Sequence, residues 1–440
     1  MTLVDQSSVN AFIPGEVELD PHEEQLIGER ARLLGPAYRL MYQKPLHFVR
    51  GEGPWLIDPS GRRYLDAYNN VTSLGHCHPD VVEAIASQAA TLATNTRYLH
   101  ETILELADGL LSTVDGKLSH LMLTCSGSEA NDLAYRIAKV RTGGTGVIIT
   151  ETAYHGITDA VSQFSPTLGP AVPLGAHVRT VPAPAAYRSG PNVAERFTRD
   201  VERAIADMVR HGIQPAMMIV DSIFTSDGIL TEEPGFLKGA VEAIRKAGGI
   251  FVADEVQPGF GRTGGQMWGF QRHGIDPDIV TLGKPMGNGQ PIAGLLTRHD
   301  VVEKFGNSSR YFNTFAGNAV SCAAAAAVLR IIKRDRIIDN ARDVGACLLE
   351  QVEGLRSRHE CVGHVRGAGM FVAADIVTDR ETKAPDKART TKVVNAMREN
   401  GVLISACGEH QNILKIRPPL IFTTEHVDLF VEALDRSLED

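Results

Sequence analysis

The sequence of 440 residues holds two tryptophans, 6% aromatic residues, six cysteines and no excess of positive charge. Each shortage excludes a class of protein. Lys and Arg number 44 against 53 Asp and Glu, and a net charge of −9 would repel a phosphate backbone instead of neutralising it. No local basic patch offsets this, so no nucleic-acid partner is expected. Cys77, Cys125, Cys322, Cys347, Cys361 and Cys407 lie far apart with no C-x-x-C pair, which indicates neither a zinc site nor a disulfide framework. Reduced, mostly buried thiols are expected. The opening MTLVDQSSVNAFIPGEVELD lacks a basic segment followed by an apolar run, and nowhere do 18 apolar residues follow one another. The expectation is a cytoplasmic protein with no membrane partner. Repeats and low-complexity tracts are missing too, the alanine run 323–327 being a tightly packed helix face.

What remains is an ordinary globular composition, 43% apolar and 22% charged, on a chain long enough to enclose a cofactor. WLIDPSGRRYLDAY at 55–68 alternates around a Pro-Ser-Gly turn and predicts a hairpin. From residue 118 onward the pattern changes to short apolar runs: LMLTC, GVIIT, AMMIVD, GIFVADEV, DIVTLG and IAGLLT. Segments of helical period such as EEPGFLKGAVEAIRKAGG separate them. Strands alternating with helices predict an α/β fold around a largely parallel sheet buried on both faces. AVSCAAAAAVLRIIKRD at 319–335 is a strong helix, after which the order becomes less regular. Residues 71–319 are therefore expected to form a large domain, with 1–70 and 320–440 combining into a smaller one.

Three features fall where strands end, the place at which open α/β sheets hold ligands. Cys125-Ser126-Gly127-Ser128-Glu129-Ala130-Asn131 follows LMLTC, and its small residues let backbone N–H groups approach an anion. Ser126 and Glu129 stand at capping-box spacing for the helix that follows. A phosphate cradle and an ordinary capped helix start explain this motif alone equally well. Asp254 and Glu255 close the run IFVADEV, and adjacent residues of a strand point to opposite faces, so one carboxylate can enter a site while the other stays outside. The buried acid needs a cationic partner, such as a protonated pyridine nitrogen. Lys284 follows DIVTLG amid glycines, where desolvation would turn its amine into a nucleophile toward an aldehyde. Taken singly, a loop lysine is more often a surface residue. Together, cradle, carboxylate and lysine describe a pyridoxal phosphate site.

Two other patterns are set aside. Gly259-Phe260-Gly261-Arg262-Thr263-Gly264 fits G-x-G-x-x-G, but GQMWGFQRHG is a poor helix, and Asp254 with Glu255 would repel a pyrophosphate. His76-Cys77-His78 lacks the further ligands a metal requires and reads as a turn between Gly75 and Pro79.

With these residues in hand, the sequence from about residue 36 to the C-terminus resembles the class III aminotransferases, which have pyridoxal phosphate fold type I. The markers are SGSEAND at 126–132, Tyr154-His155-Gly156, DEVQPGFGRTG at 254–264, TLGKPMGNGQPIAG at 281–294 and NTFAGNAVSCAAA at 313–325. The resemblance implies a large domain with a mostly parallel sheet plus a smaller α+β domain from both termini. It implies that Gly127 and Ser128 hold the cofactor phosphate, Tyr154 stacks on the ring, Asp254 pairs with the pyridine nitrogen and Gln257 approaches the ring hydroxyl. Lys284 joins the cofactor covalently, and Ser126 and His155 complete the cofactor-binding set. Thr314 would complete the phosphate site of a neighbouring subunit, so a homodimer with shared active sites is implied.

Within that family, Tyr68-Asn69-Asn70-Val71, Gly75-His76-Cys77-His78-Pro79, Asn95-Thr96-Arg97-Tyr98-Leu99-His100 and Leu414-Lys415-Ile416-Arg417-Pro418-Pro419 are similar to one subgroup. It comprises the ethanolamine-phosphate phospho-lyases and their phosphohydroxylysine relatives, which eliminate phosphate. Ornithine-type aminotransferases resemble one another in Glu-Pro-Ile-Gln-Gly-Glu, whose second glutamate pairs with a C-terminal arginine. Here Asp221-Ser222-Ile223-Phe224-Thr225-Ser226 stands in its place, with no glutamate to occupy Arg417. The expected reaction is phosphate elimination from O-phosphoethanolamine to acetaldehyde and ammonia, with Arg417, Asn70 and Tyr42 as candidates for holding the phosphate. Arg417 can equally be the family's carboxylate-binding arginine. An ω-aminotransferase acting on an amine or ω-amino acid is the alternative, since both reactions share the first proton abstraction. A catalytically silent ligand-binding protein would be expected to lack Lys284 or Asp254, and both are present.

Overall fold

The computed structural model describes residues 10–439. Its centre is a seven-stranded sheet in the order Leu118–Thr124, Ala293–Arg298, Ile279–Leu282, Ile250–Asp254, Pro215–Asp221, Gly146–Thr150, Val178–Val181. All the apolar runs named above become strands of this sheet, because a strand buried on both faces needs apolar side chains at every position. Gly146–Thr150 and Ile250–Asp254 are buried throughout. Ala293–Arg298 runs antiparallel to both its neighbours, while the remaining pairs are parallel. The loop 283–292 before it is shorter than the dozen or so residues a parallel crossover requires. Val178–Val181 is an edge strand that the apolar pattern did not predict; two of its four residues are half-buried.

Helices cover the sheet. Gly127–Thr142 starts directly behind the first strand, capped by Ser126 and Glu129 in a reciprocal box as their spacing predicts. Ala319–Arg334 buries most of its alanines, which lets the helices Pro79–Thr91 and Glu101–Leu111 approach closely. EEPGFLKGAVEAIRKAGG yields a helix over Lys238–Lys246 alone, the segment before it forming turns.

The predicted hairpin is present: Trp55–Ile57 pairs antiparallel with Arg63–Asp66, and the Asp58 carboxylate closes the turn by accepting from Ser60 and Arg62. Arg63–Asp66 also pairs in parallel with Val402–Leu403, so the N-terminal element joins the C-terminal region. A second sheet, Val362–Ala368, Phe371–Asp379, Ile413–Ile416 and Ser405–Cys407, is antiparallel, with Ala384–Pro385 at its margin. Past its third strand, the Arg417 N–H donates to the Ala67 carbonyl at 2.8 Å, which brings 67–70 beside Arg417. Among the described residues no helix is long and apolar enough to cross a membrane.

Candidate active site

Leu118–Thr124, Gly146–Thr150, Pro215–Asp221, Ile250–Asp254 and Ile279–Leu282 run the same way and end at one edge of the sheet, where the loops that follow converge. In-register pairing aligns Asp221 with Asp254 and Asp254 with Thr281. Lys284 follows Thr281 by one short turn. A cleft of about 470 Å³ is lined here by Gly127, Ser128, Asn131, Tyr154, His155, Gly156, Asp221, Asp254, Val256, Gln257 and Lys284.

Asp254 is 5% exposed and receives three donors. His155 Nδ1 lies 2.7 Å and Asn131 Nδ2 3.0 Å from Oδ2, and the Val256 N–H donates to Oδ1 at 3.1 Å. Asn131 also donates to the His155 carbonyl at 2.7 Å, which locks the two together. The partner that a buried carboxylate demands is thus supplied in part by the protein itself, and sequence reading had assigned that task to the cofactor alone. Asn131 was missed because a polar residue early in a helix reads as solvated surface. Glu255 points to the opposite side, as alternation predicts, and accepts from Ser222 Oγ and from the Gly269 and Phe270 N–H groups, each at 2.7 Å. Burial pushes its carboxyl up to about 8.

Lys284 makes no ion pair or hydrogen bond among the described residues. Burial lowers its pKa, opposed by the nearby Asp254 carboxylate, while Arg417 lowers it further. A larger fraction of free amine, hence of nucleophile, is the consequence. Asp221 moves the other way, raised by burial and opposed by the Thr225 hydroxyl that donates to it.

Whether pyridoxal phosphate fits is tested at the other end of the cleft. A Cβ on Gly127 would lie 2.8 Å from Val256 Cγ1, and one on Gly156, at φ +140°, would lie 2.5 Å from Ser128 Oγ. Only glycines leave the hollow open, with the first turn of the Gly127–Thr142 helix offering N–H groups at its floor. Ser128 Oγ accepts from the Ile157 N–H at 3.1 Å and keeps its own proton free to donate. Phosphate cradle, acid and amine are therefore spaced along one cleft, and the donor set fits the cofactor. Ser126 is different. It is not on the cleft wall: its hydroxyl accepts from the Glu129 N–H and its own N–H donates to Glu129, closing the helix cap.

Gln257 links this cleft to a second cluster. Its Nε2 donates to Thr225 Oγ1 at 2.7 Å, and its Oε1 accepts from Arg417 Nη1 at 2.8 Å and Asn70 Nδ2 at 3.3 Å. The Arg417 guanidinium sits 5.0 Å from the Tyr68 ring centre. Behind it Arg262, fully buried, donates to the Pro418 carbonyl at 2.6 Å and fixes the chain just beyond Arg417. Burial and the charge of Arg417 draw Arg262 down to about 9. Lys415, two residues before Arg417, is also buried, and burial and Arg417 bring it down to about 8. Sequence reading passed over it as part of a motif; the i, i+2 spacing with Arg417 was the available signal.

The structure thus brings Gly127, Ser128, Tyr154, His155, Asp254, Gln257 and Lys284 into one cleft, with Asn70 and Arg417 joined to it through Gln257. Tyr42 is not on the cleft wall; it is buried, with its hydroxyl donating to the Ile404 carbonyl at 3.0 Å. Thr314 is exposed on the loop before Ala319–Arg334. The two motifs set aside also have structural explanations. Gly259–Gly264 forms consecutive turns in which a Cβ on Gly264 would strike the Arg342 backbone at 2.9 Å. His76 Nε2 lies 2.8 Å from the buried Asp66 carboxylate.

Comparison with known proteins identifies the family of the chain. The chain is 38% identical over 418 residues to an alanine–glyoxylate aminotransferase 2-like protein of Drosophila melanogaster, covering 91% of this chain and 84% of that one. It is 34% identical over 437 residues to ethanolamine-phosphate phospho-lyase homolog 1 of Caenorhabditis elegans, covering 94% and 93%. Among solved structures, a phospholyase from Arthrobacter in complex with phosphoethanolamine superposes with a TM-score of 0.91 at 42% identity, covering 94% of this chain and 99% of that one. The family Aminotransferase class-III matches residues 39–438, and the protein belongs to it as a pyridoxal phosphate-dependent enzyme of the α/β fold type I.

Proposed function

We propose that the protein is a phospho-lyase that eliminates phosphate from a small phosphorylated amine, O-phosphoethanolamine in the first instance, giving acetaldehyde, ammonia and phosphate. The observation that carries this is the partner of Arg417: a neutral amide, Gln257, in a cluster where no carboxylate bonds to the guanidinium among the described residues. An arginine so placed has a fork of donors for an incoming anion, and its burial strengthens the attraction. Likeness to the phosphoethanolamine-bound phospholyase supports the same substrate class.

Pyridoxal phosphate, when bound, supplies a carbonyl carbon for the substrate amine and a ring that accepts the electron pair of a broken C–H bond. Gly127 and Ser128 would hold its phosphate, Tyr154 would cover its ring, and Lys284 would carry it. Asp254, oriented by His155 and Asn131, would keep a proton on the ring nitrogen. Lys284, once released by the substrate amine, takes the proton from the carbon that bears nitrogen. Its lowered pKa suits it to that task. Arg417, with Asn70 beside it, holds the phosphate so that the C–O bond aligns with the electrons left behind.

A homodimer belongs to the same proposal. Leu99, Tyr98, Leu104 and Phe315 are exposed around a groove beside Thr314, and an apolar surface of that kind suits a second copy of the chain. So does a cytoplasmic placement, with which six free thiols agree.

Incubation with phosphoethanolamine and no keto acid tests the assignment. Continuous release of phosphate is expected over many turnovers. A second reading, amino transfer to a keto acid, is favoured by the relative named as an aminotransferase, and a single conversion of the cofactor to its amine form would establish it.

A further inference from the structure

Strand Ile413–Ile416 sends alternate side chains to opposite faces. Leu414 and Ile416 enter the main core, whereas Ile413 packs with Ile223 and Ile229 of the loop after Pro215–Asp221. By the same alternation Lys415 and Arg417 share the face of Ile413 and so look toward that loop, whose first residue, Asp221, lines the cleft. Lys415 is 8% exposed and makes neither an ion pair nor a hydrogen bond among the described residues. The charged and titratable groups facing it are Arg417 on its own strand, Cys407 on the neighbouring strand, Asp221 at the sheet edge and Lys284 in the cleft. Farther along the Cys407 face, Arg366 and Asp375 pair with each other. Asp221, the carboxylate among the described residues that most acts on Lys415, is already bonded by Thr225 and the Ile223 N–H. Two cations thus lie behind the cleft wall, Arg417 bonded to Gln257 of that wall and Lys415 close enough to feel Asp221 and Lys284, and Lys415 can release a proton near neutrality.

A phosphate monoester loses its second proton near pH 6, so the substrate arrives largely as a dianion. Breaking its C–O bond unaided would expel a trianion, a poor leaving group. We propose that Lys415, as the ammonium, is the catalytic acid that protonates the bridging oxygen of the departing phosphate, while Arg417 holds the non-bridging oxygens. The inference rests on the phospho-lyase assignment and deepens it. The electron pair of the C–H bond becomes the new carbon–carbon π bond, and that of the C–O bond stays on oxygen. The proton from carbon resides on Lys284 and the proton from Lys415 on the phosphate, which leaves as hydrogenphosphate. Lys415 becomes a neutral amine and is recharged from solvent.

The test compares the cofactor-loaded wild type with K415R and K415M. Phosphate release is followed between about pH 6 and 10, and binding of inorganic phosphate is measured by calorimetry. In the wild type kcat/KM for phosphoethanolamine is expected to fall as pH rises past the Lys415 pKa. K415R keeps a charge that does not titrate. It should bind inorganic phosphate nearly as the wild type does, release phosphate about 10²-fold more slowly or worse, and lose that alkaline limb. K415M, a buried apolar replacement of similar length, should lose both binding and turnover. Wild-type rates in K415M, or a wild-type rate and pH limb in K415R, would overturn the role of Lys415. A wild type that releases no phosphate would instead overturn the phospho-lyase assignment on which it rests.

Discussion

Arg417 and Gln257 are joined by a single hydrogen bond of 2.8 Å from Nη1 to Oε1, which sets a buried guanidinium against a neutral amide. Converting that amide to a carboxylate would create the ion pair that the cluster lacks. Q257E is expected to raise KM for phosphoethanolamine about 10- to 100-fold, because a charge-assisted bond to Arg417 is worth roughly 1.5–3 kcal/mol and must be broken for the substrate to enter. Cofactor content, read from the visible absorption band, separates this from loss of the cofactor. An unchanged KM would mean that Arg417 does not meet the substrate.

The cradle makes a prediction that can be reversed by design. G127A places a methyl 2.8 Å from Val256 Cγ1, and overpacking of that kind costs about 1–3 kcal/mol, so cofactor affinity should fall some ten- to hundredfold. The double variant G127A/V256A removes the obstructing methyl and should recover most of the loss. No recovery would show that the glycine is needed for its backbone alone.

How far the sequence reached can be judged at these positions. Strand runs such as GVIIT were legible because two covered faces require unbroken apolar stretches, and the sheet edge then located Ser126, Asp254 and Lys284 together. Val178–Val181 escaped because an edge strand is under no such demand. Asn131 and Lys415 escaped for a related reason. Each is polar and buried only through contacts made by chain segments distant in sequence, which no local periodicity records. Tyr42 was legible as a residue near the site, but not the bond to Ile404 that its hydroxyl makes, whereas the cap between Ser126 and Glu129 was legible from its spacing.

Acid should weaken the fold through His273. This residue is buried, with Nε2 donating to the Ser222 carbonyl and Nδ1 accepting from the Gly235 N–H. Burial draws its pKa from 6.5 to about 4. Because the unfolded chain binds this proton more readily, the stability is fully present above pH 6.5 and lost as pH falls toward 4. The loss attributable to this group approaches about 3 kcal/mol across that window. Unfolding free energies at both ends of the window should therefore differ less in H273Q than in the wild type. An equal difference in both would remove His273 from the explanation.

Most directly at stake is which amine carries the cofactor, since Lys284 and Lys415 are both enclosed and both have lowered pKa values. Borohydride reduction of the cofactor-loaded protein followed by peptide mapping decides between them. The expected result is the cofactor mass on the peptide that contains Lys284 and on no other; an adduct on Lys415, or none anywhere, would contradict the site described for this protein.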